Sequence, residues 1–146
     1  MRIYFAHPVT DYGTERERGA VAAIEAEGWT VENPNQPHHQ AGYDEEGMVY
    51  FERLAASCDA LIFMRFPGGA IGAGVGKEID AAQAAACPIY ELFDGEVYSV
   101  YGSPTPVLSV ENTRALLAEI RATEPNQNRN CKTPVKRNAP GIAKNG

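Results

Sequence analysis

The side chain with the clearest chemical potential is Glu78, which follows a glycine-rich stretch in the middle of the chain. Residues 60–64 form an apolar run of strand length, residues 67–76 contain five glycines, and the alanine-rich residues 77–86 predict a helix. A strand, a glycine loop and a helix start expose backbone N–H groups and the positive end of a helix dipole. We therefore expect Glu78 to lie in the first turns of the helix and to be held ionised, as a carboxylate nucleophile requires. A purely structural first-turn glutamate is the alternative.

The same stretch supplies candidate backbone contacts for a ligand. Gly72, Gly74 and Gly76 have no side chain, so a substrate can approach the main chain closely at these positions. Two nucleotide-binding motifs are excluded. A Walker A loop needs glycine where the chain has Ile71 and Ser or Thr where it has Glu78, and a dinucleotide fingerprint should follow the first strand, not the third.

The pattern of the remaining elements predicts an α/β fold. Residues 3–6, 29–32, 60–64 and 88–92 predict strands, and they alternate with helices predicted from the caps and apolar spacing around residues 14–28, 47–58 and 77–86. Such alternation implies right-handed crossovers and a mostly parallel sheet with helices on both faces. A turn at Asp94-Gly95, a short strand-like piece and a last helix capped by Ser109 follow.

Ligands of such sheets bind beyond the carboxyl ends of the strands. The segments 6–13, 33–43 and 65–76 all reach that edge, and we expect the middle one to be a long loop because it is rich in Pro, Asn, Gln and His. The candidate substrate contacts in these segments are His7, Pro8, Asn33 and Arg65. Three segments of the chain thus converge on one crevice.

Composition and charge limit the functional classes. The chain has 146 residues and a net charge of −6, but residues 121–146 are basic and poor in apolar side chains. We expect one domain over residues 1–121 and a disordered basic tail over residues 122–146. The acidic body argues against a nucleic acid polymer as partner. No apolar run approaches the ~20 residues of a membrane span, which argues against a membrane partner.

The cysteines and histidines indicate neither a disulfide framework nor a metal centre. Three widely spaced cysteines without a Cys-x-x-Cys pair fit a reducing cytoplasm. His38 and His39 lack further convergent ligands in the sequence, so they are interpreted as surface or base-contacting residues. We expect no metal and no cofactor.

Three short segments together resemble the nucleoside 2-deoxyribosyltransferase superfamily, which includes the deoxynucleoside 5′-monophosphate N-glycosidases. They are Tyr4-Phe5-Ala6, Cys58-Asp59-Ala60 and Gly74-Val75-Gly76-Lys77-Glu78, and the ordered resemblance covers roughly the first 92 residues. It implies a Rossmann-like, flavodoxin-like three-layer sandwich. It also implies that Glu78 attacks the anomeric carbon of a deoxyribose, and that Tyr4 hydrogen-bonds and orients this carboxylate.

The chain departs from the family pattern at several positions. Gly72 stands where the family usually has Asp or Ser, and His7-Pro8 replaces a Gly-Ser pair. His7 is therefore a candidate contact for a phosphate or a base, or an acid near neutral pH. Glu52 is the candidate for the acid that assists the departing base. The resemblance further implies a homo-oligomer, with residues 102–112 as a candidate for the segment that reaches into a partner.

The resulting hypothesis is an enzyme that cleaves or exchanges the N-glycosidic bond of a deoxynucleoside or its 5′-monophosphate through a glycosyl-Glu78 intermediate. Hydrolase and transferase remain open. Two alternatives are a non-catalytic nucleotide-binding sensor module on the same fold and an enzyme that processes NAD or ADP-ribose.

Overall fold

The computed structural model describes residues 1–123. The strands are β1 (Arg2–Ala6), β2 (Thr30–Glu32), β3 (Ala60–Phe63), β4 (Ile89–Phe93) and β5 (Glu96–Val100), and the helices are α1 (Glu15–Glu25), α2 (Pro37–Glu46), α3 (Met48–Ser57), α4 (Ala73–Ala84) and α5 (Val110–Thr123). A 3₁₀ turn, Val9–Asp11, lies between β1 and α1. Residues 1–114 form one compact unit, and residues 115–123 lie in a second.

The five strands form one sheet in the order β2-β1-β3-β4-β5. The first four are parallel, and β5 returns antiparallel to β4. The predicted Asp94-Gly95 turn joins the last two strands, and both of its residues have positive φ, 52° and 77°, as tight hairpin turns of this kind require. The predicted α/β fold with a mostly parallel sheet is confirmed.

The two faces of the sheet are buried under different helices. Alternate residues of β1 point to opposite faces. One core cluster combines sheet residues with α3 and α4, and includes Tyr4, Leu61, Phe63, Ala55 and Ile79. The other combines sheet residues with α1, and includes Ile3, Phe5, Ile62, Ala20 and Ile24. This alternation directs Tyr4 toward the helix that carries Glu78.

The prediction of a long loop over residues 33–43 is wrong, because most of that segment is helix α2. Pro37 occupies the first turn of the helix, where a missing N–H costs nothing and the fixed φ favours the helix. The helix packs on α3 partly through Tyr43 and Phe51, whose rings stack with centroids 5.6 Å apart. Tertiary packing therefore outweighs a composition that is typical of loops.

Helix α4 begins at Ala73, four residues earlier than predicted. Gly72 is its N-cap, and the backbone N–H of Ala73 donates to Thr113 Oγ1 at 2.9 Å. Gly74 and Gly76 consequently lie inside the helix and not in an open loop. Glycine has a low intrinsic helix propensity, which is why the sequence pattern placed the start too late.

The end of the described chain is also helical. Ala122 and Thr123, which were predicted to begin the tail, belong to α5. The rest of the predicted tail lies outside the described residues. Within residues 1–123, none of the helices combines the length and the apolar character that a membrane span requires.

Substituting two helical glycines separates packing from helix propensity. Replacing Gly by Ala inside a helix typically stabilises it by about 0.5–1 kcal/mol. A Cβ at Gly19 on α1 meets nothing within 4 Å, whereas a Cβ at Gly42 on α2 overlaps the ring of Tyr50. We expect Gly19→Ala to raise the free energy of unfolding and Gly42→Ala to lower it by about 1–3 kcal/mol, measured by urea denaturation. Equal stability of the two variants would show that α2 does not pack on α3 as described.

Candidate active site

Glu78 is buried between α4 and the centre of the sheet, where it meets Tyr4. The Glu78 residue is 7% exposed and Tyr4 is fully buried. Tyr4 Oη donates a hydrogen bond to Glu78 Oε2 at 2.8 Å. Burial, followed by the charge of Glu78, raises the pKa of Tyr4 well above its usual value, so the hydroxyl remains a proton donor. The other carboxyl oxygen, Oε1, carries no bond from Tyr4.

The expectation that the helix N-terminus holds Glu78 ionised is wrong. Glu78 lies in the second turn of α4, and the first turn contains no acidic residue. Burial raises the pKa of Glu78 to about 8; the hydrogen bond from Tyr4 lowers it and the charge of Glu52 raises it. Most of the carboxyl groups are therefore protonated near neutral pH, and the ionised form becomes dominant only above pH 8.

Two further side chains, Glu52 and Tyr12, are electrostatic neighbours of Glu78. Glu52 on α3 is partly buried, and its charge raises the pKa of Glu78. Burial, then the charges of Glu78 and Glu17, raises the pKa of Tyr12, a residue that sequence reasoning missed. The position of Tyr12 could have indicated it, because Tyr12 lies in the segment after β1 that also contains the predicted substrate contact His7.

The side chain of His7 is directed into the protein. His7 is 3% exposed and its ring stacks on Phe5 with centroids 3.9 Å apart. Its Nδ1 lies 3.0 Å from the carbonyl oxygen of Phe5, and its Nε2 lies 2.8 Å from Glu17 Oε2. Both ring nitrogens are thus engaged by groups of the protein itself. Pro8 is also buried, and its carbonyl accepts from Asp11 N in the 3₁₀ turn.

Glu17 holds two of the three converging segments together. Its carboxylate accepts from Gly13 N at 2.9 Å and from Asn35 Nδ2 at 3.1 and 3.2 Å, and Asn33 Nδ2 lies 3.5 Å away. Burial opposes ionisation, yet the hydrogen bonds from His7, Gly13 and Asn35 lower the pKa of Glu17 to about 2. Asn33, a predicted substrate contact, therefore lies beside an ionised carboxylate that joins the segments after β1 and β2.

Arg65 fastens the third segment. Its Nε donates to Glu91 at 2.7 Å and its Nη2 to the same carboxylate at 3.3 Å. Its Nη1 donates to the carbonyl oxygens of Gly69 at 3.0 Å and Thr105 at 2.7 Å. The carbonyl of Arg65 in turn accepts from Arg16 Nη2 at 2.7 Å. Four of the five guanidinium hydrogens, the donors that a substrate phosphate would use, are bound within the protein.

Two of the three predicted substrate-binding glycines are explained by packing. A Cβ at Gly72 would lie 3.1 Å from the Phe66 ring, and one at Gly76 would lie 2.7 Å from Val107 Cγ1. At Gly74 the nearest atom, on α3, would lie 3.7 Å away, which is ordinary contact. Of the three glycines, Gly74 is therefore the one that has no close neighbour to explain why the position lacks a side chain.

The segment expected to reach a partner subunit binds its own chain. Ile71 N donates to the carbonyl of Pro106 at 2.9 Å, and Leu108 N donates to the carbonyl of Ile71 at 2.8 Å. Val107 forms an isolated parallel bridge with Ile71. This part of residues 102–112 thus covers the start of α4.

A cleft of about 510 Å³ lies on the opposite face of the sheet from Glu78. It is lined by α1 residues such as Ala20 and Ala23 and by Met64, Leu92 and Phe93 at the strand ends. Neither Tyr4 nor Glu78 lines it. The buried carboxyl group of Glu78 and this cleft therefore lie on opposite faces of the sheet.

The raised pKa of Glu78 predicts a pH-dependent stability that Glu78→Gln removes. The native pKa of about 8 exceeds the ordinary value of 4.5, so the folded state binds the proton more tightly and the wild type loses stability as pH rises from about 4.5 to 8. From about pH 5.5 to 8.5, the wild type should lose on the order of a few kcal/mol relative to Glu78→Gln, measured by urea denaturation. A pH-independent difference would contradict the raised pKa.

Comparisons with known proteins do not assign a family. No family model matches the chain, and no curated protein matches it. Among solved structures, the chain is similar to the Clostridium botulinum CMP N-glycosidase BcmB, with a TM-score of 0.43, 16% identity, and coverage of 95% of this chain and 88% of that one. A likeness this distant establishes neither family membership nor activity.

Proposed function

We propose that the protein cleaves or exchanges the N-glycosidic bond of a nucleoside or nucleotide, with Glu78 as the nucleophile. The observation that carries the proposal is the buried hydrogen bond of 2.8 Å between Tyr4 and Glu78. Buried carboxyl groups with a strongly shifted pKa and a specific polar partner are concentrated at functional sites. The motif resemblance around residues 4–6 and 74–78 adds the substrate class.

In the proposed reaction, the ionised Glu78 attacks the anomeric carbon through Oε1 while Tyr4 holds Oε2. The bond between the carbon and the base nitrogen breaks, and its electron pair leaves with the base. A glycosyl ester of Glu78 results, and water or a second base then breaks this ester and regenerates the carboxylate. Glu52 is proposed to take up the proton that Glu78 loses and then to deliver it to the departing base.

The sugar is proposed to be 2′-deoxyribose, with or without a 5′-phosphate. The motif resemblance supports this choice. Because the donors of His7 and Arg65 are used internally, a phosphate would have to be held by other groups. Chromatography of reactions with deoxynucleosides, ribonucleosides, their 5′-monophosphates and NAD tests the proposal, each with and without a free base.

We expect base release or base exchange from at least one deoxy compound, and loss of turnover by several orders of magnitude in Glu78→Gln. Glu111→Gln, an exposed glutamate at the start of α5, is the matched control and should retain activity. Release from a ribosyl compound alone, or from NAD alone, would contradict the deoxyribosyl assignment.

A sensor module is the second candidate, because a carboxyl group that is mostly protonated near neutral pH is also suited to donating a hydrogen bond to a bound ligand. Calorimetric titration of the wild type and Glu78→Gln with the same compounds separates the two functions. A sensor binds a compound without consuming it, whereas a glycosidase consumes it and loses turnover in Glu78→Gln.

The pH profile of kcat/KM tests the roles of the neighbours. A nucleophilic Glu78 predicts a rate that rises with pH toward about 8, because the ionised form reacts. The hydrogen bond from Tyr4 lowers the pKa of Glu78 and the charge of Glu52 raises it. Tyr4→Phe should therefore move the inflection to higher pH, and Glu52→Gln should move it to lower pH.

Tyr98→Phe, on the exposed strand β5, is the matched control for Tyr4→Phe and should leave the inflection in place. A rate that falls as Glu78 ionises would instead identify Glu78 as a general acid and contradict its assignment as nucleophile.

A further inference from the structure

Three potential metal ligands meet where strand β2 ends and helix α2 begins. One ligand atom from each of Glu32, His38 and His39 lies within 4.8 Å of the others. Glu32 is the last residue of β2, and the two histidines lie in the first turn of α2. The sequence offered the two adjacent histidines, and the fold adds the carboxylate.

The carboxylate of Glu32 is oriented with one oxygen toward the histidines. Arg2 donates to Oε1 through Nε at 3.1 Å and Nη2 at 3.0 Å. The other oxygen, Oε2, lies 2.5 Å from His39 Nε2. Arg2 therefore fixes the carboxylate by its far oxygen and leaves Oε2 directed at the imidazole.

The ring of His39 is also held in place. His39 is 4% exposed, and its Nδ1 lies 2.6 Å from Tyr50 Oη on α3. Metal-binding histidines characteristically use their second ring nitrogen in such a hydrogen bond, which fixes the orientation of the ring. Two of the three ligands thus have the supporting contacts that a metal centre needs.

We propose that Glu32, His38 and His39 bind one divalent transition-metal ion such as Zn²⁺. Two imidazoles and a carboxylate are a donor set that suits Zn²⁺, with the fourth position open to water. The ion takes the place of the proton between His39 Nε2 and Glu32 Oε2. If the ring is an imidazolium, its Nε2 proton leaves to solvent; if the ring is neutral, its proton moves to Nδ1. In both cases Nδ1–H then donates to Tyr50 Oη.

The required movement is small. Tetrahedral bonds of about 2.0–2.1 Å place neighbouring ligand atoms about 3.3 Å apart. The His39–Glu32 contact of 2.5 Å must therefore open by roughly 0.8 Å. His38 is exposed and its ring lies 4.0 Å from that of His39, centroid to centroid, so it is free to close on the ion.

The competing explanation is a simple ion pair between His39 and Glu32. That explanation accounts for the short contact but gives His38 no role. Substitution of the exposed His38 therefore distinguishes the two explanations, because it removes a ligand and leaves the buried contact of His39 with Glu32 intact.

A bound ion would fasten α2 to the sheet beside the proposed active site. Glu32 is the register partner of Tyr4 in the parallel pair of β1 and β2, so the two side chains share a face of the sheet. The ion would thus stabilise α2. Helix α2 packs on α3, and α3 carries Glu52. This inference does not depend on the proposed glycosidase activity.

The test is direct metal binding by the untagged full-length protein after removal of metals with a chelator. Isothermal titration with Zn²⁺ should give one site per chain, and Co²⁺ should give visible absorption bands of a low-symmetry centre. Bound Zn²⁺ should raise Tm by several degrees, because an ion that binds the folded state alone stabilises it.

His38→Ala should weaken Zn²⁺ binding by more than the ~10–100-fold that orienting partners contribute, and Glu32→Gln should do likewise. Gln40→Ala is the control, since Gln40 is exposed on the same helix and bonds to Asp44; it should bind like the wild type. Circular dichroism in the absence of metal confirms that each variant is folded. No binding by the wild type, or unchanged affinity in His38→Ala, would overturn the proposal.

Discussion

The burial of one carboxyl group against one tyrosine hydroxyl is the constraint on which the candidate site depends. An unpaired polar group in the centre of the sheet would be costly, and Tyr4 supplies Glu78 with a partner at 2.8 Å. The same burial raises the pKa of Glu78 to about 8. The folded chain therefore holds a carboxyl group that is mostly neutral near pH 7 and that can act as a nucleophile only after it loses its proton. The charge of Glu52 opposes that ionisation, whereas the hydrogen bond from Tyr4 favours it.

Polar groups that bind one another hold together the segments at the carboxyl ends of the strands. The carboxylate of Glu17 collects donors from the segments before α1 and before α2, and the guanidinium of Arg65 collects acceptors around the start of α4. Such groups are directed inward because a buried charge must be satisfied by several hydrogen bonds. Polar residues at a sheet edge can therefore order the edge instead of binding a ligand.

The fold was predictable because it follows from the spacing of apolar residues and from the helix caps and turn residues that separate the elements. The alternation of apolar strands with capped helices indicated the parallel sheet, and Asp94-Gly95 indicated the hairpin. Asp59, in one of the segments that carry the resemblance, has a structural contact, because it accepts a hydrogen bond from the backbone of Arg2 at 2.8 Å. Helix α2 and the early start of α4 were missed because packing on α3 and the cap from Thr113 are tertiary contacts that a local pattern does not contain.

The candidate site was predictable in part for the same reason. Glu78 and Tyr4 were indicated by their positions, and the structure brings them together. The protonation of Glu78 was not predictable, because it depends on burial and on Glu52, which is distant in sequence. At the start of α1, Thr14 accepts from Glu17 N at 3.2 Å, as a helix cap does, but the Glu17 carboxylate binds Gly13 N and His7 Nε2, which a local pattern does not indicate. The role of Glu32 beside the two histidines likewise exists only in the folded chain.

The measurement that tests the central claim most directly is mass spectrometry of the protein quenched with acid during turnover. If Glu78 is the nucleophile, a fraction of the protein gains the mass of one sugar or sugar phosphate, and peptide analysis locates the added group on Glu78. An added group on Glu52, or steady base release with no covalent species under conditions in which the intermediate is slowed by the absence of an acceptor base, would contradict the account.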